Sequence, residues 1–313
     1  MSTERARQLI RDQNMLLLVG AGLSAWVGYP TLDGYAKNLV EDCDFTVPAG
    51  VPTDDASAVV QAVKEHLQQD GRLSSFYRHL ERSFDPSVRD RDYDSVHRLL
   101  VGANFRAIAT TNYDSVLEDA ARADRNRAEE FDLCADRRTA LEFVRSTSAG
   151  RHRASILHVH GYFRNPRQLV ITTRDYFWRY GPYEVVNASG DRAFRWRETL
   201  NVKFLWWLFT TYPVLFVGFS MRDLALRHIL QVVDDDFDRG GDLDHYAIMG
   251  AQTDDEEATI TEDLSRYGVE PIFYRVNPPT GPGRRADHGE LEPLLADLCR
   301  ERRGRTITNR MLA

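Results

Sequence analysis

Residues 15–24 read Met15-Leu16-Leu17-Leu18-Val19-Gly20-Ala21-Gly22-Leu23-Ser24, a short apolar run closed by two glycines one residue apart and a serine. An apolar run of this length with no polar alternation fits a strand buried on both faces, as parallel sheets require. Gly20 and Gly22 allow a tight turn with no side chain in the way. A helix starting near Ser24 would aim its free N–H groups and its dipole at that turn, an arrangement that suits an anion such as a nucleotide phosphate. The same glycines also fit a plain strand-end turn, and the local sequence leaves both readings open.

The next segment bears on which nucleotide fold is meant. Gly28, Tyr29 and Pro30 interrupt any helix and predict a loop folding back over the glycine turn. A dehydrogenase-type fold would place an acidic residue at the end of a second strand about 20 positions on. Glu41 and Asp42 stand at that distance, but they sit in a helical-looking segment with no strand before them. Residues from about 36 to 100 carry apolar side chains at helical spacing, clearest at 56–69, 73–83 and 93–100, and are read as a helical insert. His97 is read as an ordinary helix residue.

Strands resume at 105–111 (FRAIATT), placing Asn112, Tyr113 and Asp114 at a carboxyl strand end, the ligand edge of open α/β sheets. A helix cap with Thr111 as N-cap and Asp114 three residues on is the alternative, but it gives no reason for Asn112. Residues 121–130 read as a charged surface segment. The third strand, 155–160 (SILHVH), puts His158 and His160 on one face, with His160 its last residue. Two histidines invite a metal, but no third ligand follows nearby. Residues 169–172 (LVIT) read as a fourth strand followed by an aromatic loop, and 193–211 as a helix rich in Phe and Trp, packed on the core or at a subunit contact. The fifth strand, 213–217, ends in Gly218-Phe219-Ser220. There Ser220 and Asp223 fit a helix cap as well as a ligand contact. Strands at 245–249 and 271–276, a loop over 277–287, a helix at 290–298 and a loose tail complete the chain. This alternation predicts an α/β fold, a doubly wound, Rossmann-like parallel sheet with a helical insert, in one domain spanning 1–313.

Composition narrows the class. The chain has 313 residues, 42% hydrophobic and 28% charged, as in soluble globular proteins. Its formal charge of −7 argues against direct nucleic-acid binding, which needs basic surface. Lys occurs only at 37, 64 and 203, so Arg carries the positive charge. Cys43, Cys134 and Cys299 form no CxxC pair, so no zinc site is expected, and the sparse thiols suit a reducing compartment. The charged start and the short apolar run predict neither a membrane span nor a cleaved leader; a cytoplasmic protein is expected.

The segments GAGLS, TTNYD, HVHG and VGFS, in that order and each at a predicted strand end, resemble the SIR2 family. Sirtuin deacetylases carry two CxxC pairs, which this chain lacks. Their QNID motif appears here as Thr111-Asn112-Tyr113-Asp114. Their GIPDFRG loop appears as Gly28-Tyr29-Pro30-Thr31-Leu32-Asp33-Gly34, with Asp33 where that loop has arginine. No segment like their acyl-lysine cleft is found. TTNYD without a zinc module is similar to the SIR2-like effectors of bacterial anti-phage defence, which hydrolyse NAD and halt the host cell.

That resemblance implies NAD as substrate, bound with no metal. Asn112 would hydrogen-bond the nicotinamide ribose and orient water, and His160 would act as base. Asp114 would contact the nicotinamide amide. Gly20, Ala21, Gly22 and Ser24 would hold the pyrophosphate beneath the loop of Tyr29, Pro30 and Thr31, and Gly218 and Ser220 would face the adenosine. It further implies a homo-oligomer and a protein partner, such as a HerA-type ATPase, a short Argonaute or a phage trigger. An NAD-dependent deacylase and a non-catalytic NAD or ADP-ribose sensor are the alternatives.

Overall fold

The computed structural model describes residues 2–90, 92–123, 128–148, 155–186, 192–196, 199–237, 245–277 and 287–300. The apolar run forms β1 (Leu16–Val19), with all four residues buried. It lies at the middle of a seven-stranded sheet with β2 (Ile108–Thr110), β3 (Glu129–Asp132), β4 (Ser155–His158), β7 (Val214–Val217), β8 (His245–Ala251) and β9 (Val269–Arg275). A separate two-stranded antiparallel hairpin pairs β5 (Pro182–Val186) with β6 (Arg192–Trp196). The sheet order is β3-β4-β2-β1-β7-β8-β9, and every pairing is parallel.

A central parallel strand has two covered faces, which is why β1 is apolar throughout. Leu16 and Leu18 point into one core, with Phe143, Phe204, Leu208 and Leu226. Leu17 and Val19 point into the other, with Ile10, Leu100, Leu117 and Leu295. From β1 the chain winds outward through β2 on one side and resumes on the other at β7. The strand order therefore reverses between β1 and β7, and a sheet of this kind opens its ligand crevice at the carboxyl ends there.

The insert between β1 and β2 comprises α3 (Leu32–Asp42), α4 (Ala56–Gln69), α5 (Leu73–Phe84) and α6 (Ser95–Gly102), preceded by α1 (Ser2–Arg11) and the single turn α2 (Ala21–Ser24). Its helices α3, α4 and α5 pack at the carboxyl edge of the sheet, while Val96 and Leu100 of α6 pack on the sheet face with Leu17 and Val19. Tyr35, Val60, Phe76 and Phe84 share a core with Tyr113, Phe163 and Ile171. His97 sits in α6, where its Nδ1 accepts from the Asp94 N–H and completes a cap.

Several expected elements differ. The polar segment Glu129–Asp132 is the edge strand β3; only Phe131 is buried there, so its sequence carries little strand signal. Between it and β2 lies α7 (Val116–Ala123), and after it α8 (Arg137–Ser148). Residues 169–172 are buried but join no strand. Gly161, at φ +92°, turns the chain out of the ladder, and Val170 N–H bonds the His160 carbonyl instead. The aromatic segment that follows is a helix, α9 (Thr173–Tyr180), started by a reciprocal cap between Thr172 and Asp175. Phe194 and Trp196 lie in β6, and the helix predicted over 193–211 begins only at Leu200 as α10 (Leu200–Thr211), where Thr199 caps it. The remaining helices are α11 (Leu224–Asp236), α12 (Asp254–Ser265) and α13 (Leu291–Leu298). The Gly240-Gly241 break, most of the 277–287 loop and the tail from 301 lie outside the described residues. Among the described residues no helix is long and apolar enough to cross a membrane.

Candidate active site at the carboxyl edge

Where β1 and β7 end, three glycines bring their backbones together. Gly20 N–H donates to the Val217 carbonyl at 3.0 Å and Gly22 N–H to the Gly218 carbonyl at 2.9 Å. A Cβ on Gly20 would lie 2.5 Å from Gly218 O, and one on Gly22 2.8 Å. Gly218 has φ +65°, a left-handed conformation that favours glycine. The amides of Gly20 and Gly22 are thus committed within the fold. What these residues offer a phosphate is close approach. The helix starts at Ala21, earlier than the expected point near Ser24, and lasts one turn.

Asn112 stands beside this junction. Its Nδ2 donates to the Gly20 carbonyl at 3.1 Å and to Ser24 Oγ at 2.8 Å. Its peptide N–H donates to Thr110 Oγ1 at 3.0 Å, and the Thr110 hydroxyl donates onward to the Val19 carbonyl at 2.9 Å. Its main-chain carbonyl accepts from His158 Nδ1 at 2.8 Å. The side-chain oxygen Oδ1 is buried with no hydrogen-bond partner among the described residues. A fixed amide with one open acceptor is placed to take a hydroxyl or a water.

Asp114 is also buried and accepts from Val116 N–H at 3.1 Å, while Ser24 hydrogen-bonds its side chain. Burial raises its proton affinity, and the bonds from Ser24 and Val116 oppose the rise. Helix α7 starts only at Val116, four residues later than a cap with Thr111 as N-cap and Asp114 three residues on would place it.

His160 lies two residues beyond the end of β4, not within it. The strand alternation has ended there, so the two histidines do not share a surrounding. His158 meets Glu118 and the Tyr162 ring. His160 packs edge-on against Tyr176 and Tyr180. Its Nδ1 is 3.5 Å from the Tyr176 hydroxyl and its Nε2 is 3.5 Å from Asp223 Oδ2. Burial lowers its proton affinity against the pull of Asp223, so the ring is neutral at neutral pH. Asp223 caps α11 through Leu226 N–H and accepts from Tyr176 through its other oxygen. Ser220 is exposed and takes no part in that cap.

A cleft of about 1160 Å³ opens beside this region, lined by Gly22, Trp26, Tyr29, Pro30 and Thr31 and closed on its far side by Asp287, His288 and Glu292. Tyr29 is buried, and its hydroxyl has no hydrogen-bond partner among the described residues. Asn112 and His160 do not line this cleft; they are 6% and 2% exposed. The predicted residues therefore fall into three groups: the glycine junction with Ser24, Asn112 and Asp114; His160 with Tyr176 and Asp223; and the cleft wall. Half-buried Ala21 begins α2 at the first of these, while Ser220 stands apart. Glu118, Thr110 and Tyr176 were not singled out from sequence. A glutamate in the first turn of an apolar helix was the one available signal for Glu118. Among the described residues no His, Cys, Asp and Glu side chains cluster as a metal site needs.

The family model of the SIR2-like domain matches residues 106–272, more than half of the chain. The chain belongs to the SIR2-like domain family. A curated relative, the NAD(+) hydrolase ThsA of Bacillus cereus (strain MSX-D12), is 24% identical over 279 residues, covering 84% of this chain and 51% of ThsA. The chain thus spans about half the length of that relative. The matched SIR2-like segment includes Asn112, Asp114, His160 and Gly218, the residues at the ends of β2 and β7 and just past β4.

Proposed function

We propose that this SIR2-like protein hydrolyses NAD to nicotinamide and ADP-ribose. The observation that carries the reading is Asn112, anchored through its main chain and its amide nitrogen at the sheet's switch point, with Oδ1 left open. The similarity to an NAD(+) hydrolase supports it.

The nicotinamide–ribose bond breaks toward a neutral leaving group, because the pyridinium already carries the positive charge. The transition state resembles an oxocarbenium ion, so the site needs positioning and a base more than an acid. In this reading Asn112 Oδ1 accepts from a ribose hydroxyl or from the water that attacks the anomeric carbon. Neutral His160 takes the proton from that hydroxyl or water. Its lowered proton affinity leaves the ring unprotonated and ready at neutral pH. Asp114 meets the carboxamide, and the glycine junction lets the pyrophosphate approach the backbone. Balance requires one NAD and one water to give nicotinamide, ADP-ribose and one proton.

Because Asn112 and His160 are shut off from the cleft, NAD reaches them only when the surrounding elements move. This fits an effector that is silent until a partner or a trigger acts. Its use of NAD depletion in anti-phage defence, its self-assembly and a partner ATPase, Argonaute or phage protein belong to the same proposal. The test is product analysis on purified protein, alone and with the product of the neighbouring gene. Release of nicotinamide and ADP-ribose supports the reading. Nicotinamide release only when an acyl-lysine peptide is present would replace it with deacylation.

A further inference from the structure

Next to Asn112 lies a buried pair of ionisable groups to which the proposed reaction gives no role. Glu118 is 0% exposed and His158 1%. His158 Nε2 donates to Glu118 Oε1 at 2.8 Å, and Nδ1 donates to the Asn112 carbonyl, also at 2.8 Å. We propose that Glu118 and His158 are positioning residues that hold Asn112 in register for the reaction through its main-chain carbonyl. The proposal rests on the NAD hydrolase reading for its kinetic consequences but not for its geometry.

Thr110 and His158 are register partners, and Val159 N–H to the Thr110 carbonyl is the last backbone bond of the β2–β4 ladder, the segments next meeting beyond the Gly161 turn, where Phe163 N–H donates to the Tyr113 carbonyl. The Asn112 carbonyl is the next acceptor along, past the end of β2, and the imidazole takes it. Every polar group of Asn112 except Oδ1 is then fixed. Burial would strip the proton from His158, but the charge and hydrogen bond of Glu118, helped by the Asn112 carbonyl, hold it up to about 9. The ring therefore carries both N–H groups and donates in both directions. Stability alone does not account for such a pair. An apolar pair of similar volume packs as well as a buried ion pair, or better, and Glu118 Oε2 makes no hydrogen bond among the described residues. Only a donor can hold the Asn112 carbonyl.

Two substitutions separate the two contacts. His158→Asn places an amide N–H near the position of Nδ1 and keeps a donor toward Asn112. His158→Gln places it near Nε2 and keeps the contact to Glu118 alone. Both remove the ring and its charge, and His158→Asn also leaves buried Glu118 without its partner, so it is the more destabilised of the two and any kcat it keeps is not due to higher stability. Expected is a kcat within about fivefold of wild type for His158→Asn and a loss of about 100-fold for His158→Gln, with KM for NAD little changed. The 15N–1H signals of the Asn112 side-chain amide and the Tyr113 backbone amide should shift in His158→Gln and stay near wild type in His158→Asn. That arm reads without turnover, so it decides the proposal even if the protein hydrolyses no NAD. Equal kcat losses with equal signal shifts, or no change in either variant, would overturn it. Should either variant not fold, Glu118→Leu serves as the second test. It must move the Asn112 signals, and where the wild type turns over it must lower kcat at least tenfold; unmoved signals overturn the proposal.

Discussion

Replacing Gly22 by alanine inserts one methyl group between the ends of the two central strands. Its Cβ would stand 2.8 Å from Gly218 O and 3.3 Å from Gly218 C and Cα, all backbone atoms that have no rotamer to retreat into. Reaching ordinary contact near 3.4 Å means parting the ends of β1 and β7 by about 0.6 Å. The Gly22 N–H bond to the Gly218 carbonyl, now 2.9 Å, would stretch out of range. Overpacking of this kind costs about 1–3 kcal/mol, and the lost bond about 1 kcal/mol more. For a chain of 313 residues a total near 3 kcal/mol lowers Tm by roughly 5 °C. Gly34 supplies the control, since its Cβ would meet Thr31 Oγ1 at 3.5 Å and Pro30 Cβ at 3.6 Å, ordinary contacts, inside α3. Gly34→Ala should leave Tm unchanged or raise it. Thermal unfolding with and without ADP-ribose measures both effects, because in the proposed site the nucleotide would also lose its close approach at Gly22. A Gly22→Ala protein that melts within 1 °C of wild type (about 0.7 kcal/mol) and gains as much from ADP-ribose would refute the reasoning.

Other outcomes follow from the same geometry. His158 binds its proton more tightly folded, at about 9, than the ordinary 6.5 of an unfolded histidine, so its contribution is full below pH 6.5 and is lost as pH rises toward 9. Urea titrations should show a decline on the order of 3 kcal/mol across that window, and the decline should flatten in Glu118→Leu; equal slopes would count against the pairing. Asp223→Asn retains a good N-cap for Leu226 but removes the charge beside His160. It should change Tm by under about 1 kcal/mol equivalent while lowering kcat, and a large Tm loss with unchanged kcat would leave only the cap. Thr110→Val strands the buried Asn112 N–H and should cost about 1–3 kcal/mol in chemical denaturation.

The sheet was legible because its central strands are buried on both faces and announce themselves as unbroken apolar runs. The place of the motif residues at strand ends was legible because the strands before them are apolar, and Asn112 drew notice by its position at that edge. What hid the rest was context. Glu129–Asp132 pairs through its backbone, with a single buried side chain. Thr172 and Asp175 cap a helix whose aromatic bulk reads as loop. The turn at Gly161 separates His160 from the strand that it continues in sequence. Glu118 gave the least warning, since a glutamate in the first turn of a helix is ordinarily exposed and its partner lies 40 residues away. The bond from Gly22 to Gly218 joins motifs nearly 200 residues apart, and only the sheet order brings them into contact.

The most direct measurement follows nicotinamide and ADP-ribose together by chromatography, after NAD is added to the wild type and to folded Asn112→Ala and His160→Ala proteins. Each is assayed alone and with the product of the neighbouring gene. The account predicts equimolar release by the wild type in at least one of these conditions and none above background from either variant. Near wild-type release from either variant would contradict the site. A wild type that binds NAD tightly but never cleaves it would contradict the reaction and leave a sensor in its place.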